Sequence, residues 1–174
     1  HAFNIIIAAT IGILASVAGA TNGYFQHGIG PESKSMAGAG TALPMTSLSA
    51  VTNPAAAAYV GSRYEVGVSA FMPSVNYEVI GTPSGAPGTF GLTPGKVESD
   101  ANFFAIPHAG YNRETEVGSF GLAFYGNGGM STDYATTTFH APEGPTGVNL
   151  SQAFVQLTYA YEIVKHHALG ISTA

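Results

Sequence analysis

The sequence predicts an all-β fold: antiparallel strands of a transmembrane β-barrel, preceded by a compact segment of turns and short helices. Three observations predict it. Charged residues make up 9% of the chain, against about 25% in ordinary soluble domains, while the hydrophobic fraction is an ordinary 45%. From Tyr64 onward apolar residues recur at every second position, the period of a strand with one apolar face. The segments between strands alternate between long Gly/Pro/Thr-rich loops and short charged turns, as they do in barrels of outer membranes.

The sequence starts at His1 and stops at Ala174 within a strand-like pattern, so a fragment cut at both ends is expected. Residues 1–20 read as a signal peptide. Ile5 to Val17 form an apolar core, followed by Ala18-Gly19-Ala20, a cleavage signal of the A-x-A type. Such a core is short for a spanning helix, which needs about 20 residues. The alternative is a buried N-terminal helix, but a β-branched Ile run followed by small residues makes a poor amphipathic one.

Composition excludes several classes. There is no Cys, so disulfide frameworks and thiolate metal sites are out. Five scattered Lys and Arg and a net charge of −5 exclude nucleic-acid binding by phosphate neutralisation.

Residues 21–62 are rich in Gly, Ala, Ser and Thr and lack a period of two. Asn53 is a good N-cap and Pro54 suits the first helical position. Ala55 to Ala58 then favour a short helix, which Gly61 would end.

The strands begin at residue 63. Tyr64, Val66, Val68, Ala70 and Met72 share one face. Pro73 interrupts, and alternation resumes over Val75, Tyr77 and Val79. Gly81 to Gly95 reads as a long loop. A second strand runs from Ala101 to Tyr111, with Asn102, His108 and Asn112 on its mixed face and a charged turn over 112–116. A third runs from Val117 to Tyr125, with Phe120, Leu122 and Phe124 on one face. Gly126 to Gly129 follow, then a polar loop to Gly147. A fourth strand covers Leu150 to Val164, and a fifth begins at Leu169. Tyr64, Tyr111, Tyr159 and Tyr161 lie near strand ends, as girdle aromatics do. A bilayer demands a closed barrel, so these strands are expected to be part of a larger one. A soluble periplasmic β-sandwich is the alternative; it predicts neither the low charge nor the alternating loop lengths.

Gly23-Tyr24-Phe25-Gln26-His27-Gly28-Ile29-Gly30, then Met36 to Pro44, then Ser49-Ala50-Val51-Thr52-Asn53-Pro54-Ala55 resemble the start of FadL-type outer-membrane transport proteins. These are channels for long-chain fatty acids and aromatic hydrocarbons. The Asn-Pro-Ala triplet, followed by Gly61-x-Arg63, is the most specific piece. The order matches from about residue 21 to the end, later strands in pattern more than in residues. The resemblance implies a monomeric barrel of about 14 strands, within the range such barrels span. It implies a hatch over 21–62 that plugs the lumen, and the first barrel strands over 63–174. It implies passive uptake of a hydrophobic small molecule, surrounded by outer-membrane lipid, with lateral release at a kink in the third strand. That kink falls on Gly126, Asn127, Gly128 and Gly129. Glycines permit such a bulge, and a gap is tolerable only where freed groups meet water, ligand or plug. Many relatives carry an acid near position 46, where this chain has Thr46.

Apolar hatch residues cannot face lipid if the hatch is internal. Phe25, Ile29, Met36, Leu43 and Met45 therefore either pack against the wall or line a ligand path. Phe71, Phe104 and Ile106 fall on faces where polar side chains are the norm, so they are candidates for a hydrophobic ligand or for hatch packing. Gly38 and Gly40 are read as close packing, and Asn53, Pro54 and Ala55 as a capped turn. The six His lack metal spacing, and no G-x-S-x-G nucleophile elbow occurs. No enzyme activity, metal or cofactor is expected. The expected function is a Gram-negative outer-membrane channel for fatty acids or aromatic hydrocarbons. The alternative is a non-transporting structural or adhesion β-barrel or β-sandwich of the cell envelope.

Overall fold

The computed structural model describes Gly23 and residues 25–89, 92–135 and 146–174. The leader expected over residues 1–20 lies outside the described residues. The chain forms helix α1 (Gly30–Ser35), helix α2 (Ser49–Thr52) and a 3-10 turn (Pro54–Ala58). Strands β1 (Arg63–Phe71), β2 (Asn76–Val79), β3 (Gly95–Glu98), β4 (Phe104–Thr115), β5 (Gly118–Tyr134), β6 (Thr146–Val164) and β7 (His167–Thr173) follow. Five of them make one antiparallel sheet in the order β1-β4-β5-β6-β7, and β2 pairs only with β3 in a separate hairpin. The fold is all-β, and the sheet is open, with β1 and β7 as its edges. Among the described residues no helix is long and apolar enough to cross a membrane.

The pleat sorts the side chains. Outward positions are apolar and exposed: Val66, Val68, Leu169 and Ile171 are 68 to 82% accessible. Phe120, Leu122, Phe124, Val155 and Leu157 continue this surface across the sheet. Tyr64 stands directly opposite Tyr111 at the end that carries the short turns.

The inward face carries the N-terminal segment, held by side chains from successive strands. Arg63 Nη1 donates to Met45 O at 2.7 Å. Glu65 Oε1 accepts from Leu48 N–H and Ser47 Oγ, and Ser69 Oγ accepts from Lys34 Nζ at 2.8 Å. From β4, Asn112 Nδ2 donates to Ala57 O and Gly61 O. From β6, Gln156 Nε2 donates to Ala50 O. Most buried polar groups are paired, and through these bonds β1, β4 and β6 specify where the segment sits. Leu48, Ala123 and Tyr125 form one small core with Ile29, Val51 and Phe154 beside it. Ala50, Ala57 and Ala160 form another. Alanine at these contacts lets backbone approach backbone, which explains the Ala-rich composition of the segment.

Several boundaries differ from the sequence reading. The turn between β4 and β5 needs only Glu116 and Val117, so Asn112 is a buried strand residue and not part of a turn. β5 continues through Gly126–Gly129 to Tyr134, and β6 starts at Thr146; polar ends do not stop a ladder whose backbone still pairs. β3 starts at the last residue of the stretch read as loop and fills the gap before the strand read from Ala101, because Gly95–Glu98 finds β2 as a partner.

Candidate functional site: an opening between two strands

The ladder between β4 and β5 ends at His108↔Tyr125. The ladder between β1 and β4 continues to Phe71↔Phe104, and that between β5 and β6 continues to Tyr134↔Thr146. Residues 104–107 and 126–134 therefore border an opening in the sheet. Two sequence features coincide with the parting. Pro107, the first β4 residue past the last pair, has no N–H to donate. On β5 the register shifts between Gly126 and Gly128, leaving Asn127 as the extra residue of a bulge. A bulge bends its strand and swaps the faces beyond it.

Both ends of the opening are closed. At the near end Ile106 Cγ2 stands 2.6 Å from where a Cβ on Gly126 would be, so Ile106 fills the space a side chain there would need. Gln26 Nε2 donates to Gly126 O at 2.5 Å, from 100 residues away. At the far end Asp100 N–H donates to Asp133 O at 2.8 Å, and Asp133 N–H donates to Ser99 Oγ at 2.9 Å. The Tyr77 ring from the hairpin meets Tyr134 edge-on at 4.9 Å. Opposite Gly128, the side-chain oxygen of Gln152 is buried without a hydrogen-bond partner.

A cavity of about 370 Å³ lies at this far end, among Asp100, Phe103, Phe104, Asp133, Val148 and Asn149. Its size falls in the range of small-molecule sites. A second, of about 10 Å³, lies within the N-terminal segment beside Ile29 and Met45; it has room for about one water.

The opening brings together three of the eight sequence candidates. Phe71 and Phe104 are opposite in register with ring centroids 6.2 Å apart, Phe104 also lines the larger cavity, and Ile106 sits at the near end. The hatch candidates divide. Ile29 packs on the Leu48–Tyr125 core, and Met45 lines the small cavity. Met36 and Leu43 flank Gly40 and keep 36% and 49% of their surface exposed, as Phe25 keeps 40%.

The structural candidates take the following places. Gly38 has φ +79°, and a Cβ there would fall on His27 O, so only glycine fits. Asn53 Oδ1 accepts from Ala55 N–H at 3.2 Å, capping the 3-10 turn that Pro54 starts. Asn53 Nδ2 donates to Thr41 O. Thr46 is buried, with its N–H on Ser49 Oγ. Burial lowers the pKa of Lys34, whose Nζ reaches Ser69 on the inward face.

Sequence reasoning missed Gln26 and Gln152. Gln26 lies within the segment that carries the family resemblance, but nothing in its neighbours points to a carbonyl so far along the chain. Among the described residues no three of His, Asp and Glu converge as metal ligands would. No protein-family model matches the chain, and neither does any curated protein or solved structure.

Proposed function

We propose that the chain is the N-terminal part of an outer-membrane β-barrel channel for passive uptake of hydrophobic compounds, of the FadL type. The five strands would be the first of the barrel, with the apolar outward face against lipid. Residues 21–62 would be the hatch in its lumen. The observation that carries the reading is the opening between β4 and β5, which a glycine-rich bulge borders and Gln26 of the inner segment latches. A sheet whose backbone groups part inside a bilayer needs substitutes for the lost ladder bonds, and Gln26 supplies one. Phe71, Phe104 and Ile106 would meet a ligand passing from the inward face to the opening. Transport would follow the ligand's gradient and its partitioning into lipid.

The test is uptake. The complete gene product is expressed in a Gram-negative host and recovered folded in outer membranes. Uptake of a labelled long-chain fatty acid and of a labelled aromatic hydrocarbon is then compared with and without residues 21–62. The expected result is uptake of at least one class above the vector control, altered by the deletion. Uptake of neither by a folded protein contradicts the reading and favours a structural barrel of the envelope.

A further inference from the structure

We infer that the cavity at the far end of the opening is a charge filter, which admits uncharged hydrophobic molecules and turns away carboxylates. The inference rests on the uptake reading above and names the substrate class of that same site. The cavity joins an apolar wall to an anionic rim. Phe103, Phe104 and Val148 are its large apolar residues, Asn102, Ser131, Thr132 and Asn149 its neutral polar ones, and Asp100 and Asp133 its exposed acidic ones. Among the described residues no lysine or arginine lines it.

The surroundings repeat this imbalance. Among the described residues of 72–104 and 130–149, Glu78, Glu98, Asp100 and Asp133 stand against Lys96 alone. Lys96 is itself engaged with Glu98 at 2.9 Å. The remaining basic residues, Lys34, Arg63, Arg113 and Lys165, lie outside both stretches. Charge of one sign around a cleft repels like-charged ligands and lowers their local concentration.

Size and chemistry then agree on the ligand. The open cavity of about 370 Å³ falls in the size range of small-molecule sites and has room for an aromatic ring or a folded alkyl chain. A long-chain acid is ionised near neutral pH, since carboxyl groups titrate at about 4. It would bring a third negative charge to Asp100 and Asp133. An uncharged molecule of the same length meets the aromatic wall without that repulsion.

The two carboxylates are also free of the bonds that close the opening. Those bonds use the backbone N–H of Asp100, the backbone N–H and O of Asp133, and Ser99 Oγ. Asparagine at either position keeps them and removes only charge.

The test compares uptake of a labelled long-chain carboxylate with that of the fatty alcohol of equal chain length, by the complete gene product in outer membranes. The pair isolates charge from shape. Wild type is expected to carry the alcohol faster. The Asp100→Asn/Asp133→Asn variant should raise the carboxylate-to-alcohol ratio about threefold to tenfold, the scale of two charges about 8 Å away in a water-rich opening. Each single variant should give part of that rise, so the outcome does not depend on the double variant folding. Added salt should raise the wild-type ratio as well. A wild type that carries the carboxylate as fast as the alcohol overturns the inference, and so does an unchanged ratio in the variants. Either result leaves uptake itself standing. Uptake of neither compound by folded wild type removes the premise and the inference together.

Discussion

Gln26 donates its side-chain N–H to the carbonyl of Gly126, where the pairing of β5 with β4 has just ended and the bulge in its ladder with β6 begins. One residue of the N-terminal segment thus bonds β5 just past its last pair with β4. Gln26→Ala removes that bond, at a cost of about 1–2 kcal/mol. The loss should be local. Hydrogen exchange at Gly126–Met130 should quicken, while exchange in the paired stretch Ser119–Tyr125 should stay as in wild type.

Gly170 of β7 lies against the backbone of Pro54 and Ala55 so closely that no Cβ fits between them. Gly170→Ala must therefore push the capped turn off the sheet or distort β7. Overpacking of this kind costs about 1–3 kcal/mol. The midpoint of urea unfolding, followed by the β signature in circular dichroism, should fall accordingly.

Asn53 caps the same turn through Ala55 N–H and ties it to Thr41 O. Asn53→Ala removes both bonds and should cost about 1 kcal/mol or somewhat more. Asn53→Asp retains the acceptor and loses only the donor, so the same unfolding midpoints should place it between wild type and the alanine variant.

These contacts show which parts of the fold could be read from the chain alone. The faces of β1, β4, β5 and β6 follow from a period of two, because each strand has one face against the inner segment and one away from it. Asn53 and Pro54 announce their turn through local chemistry. Asn112 does not: flanked by Arg113 and Glu114 it reads as part of a charged turn, and only the arrival of Ala57 and Gly61 makes it a buried strand residue. Gly126–Gly129 reads as the end of a strand, since glycine gives no cross-strand packing, yet β6 supplies backbone partners through it. The opening itself depends on where two ladders stop, and no local pattern encodes that. Phe71, Phe104 and Ile106 were legible as apolar residues on a polar face; their grouping at the opening was not.

Leu122 faces outward, opposite Leu157 on β6 and Tyr111 on β4. On a lipid face, Leu122→Lys should destabilise the folded protein by about 2–4 kcal/mol if it lies near the bilayer midplane. On a water-exposed sheet the same change would alter stability by less than about 0.5 kcal/mol. Urea unfolding from lipid vesicles distinguishes the two.

The most direct test of the account is the environment of the outward face. The chain has no cysteine, so single cysteines at Val66, Ala109, Leu122 and Leu157 can each carry a nitroxide in the complete gene product, reconstituted in lipid. Collision with dissolved oxygen and with a water-soluble nickel chelate is then measured at each site. A lipid-facing sheet predicts strong oxygen contact and weak nickel contact at all four. Strong nickel contact at these positions would place the apolar face in water and contradict the membrane barrel.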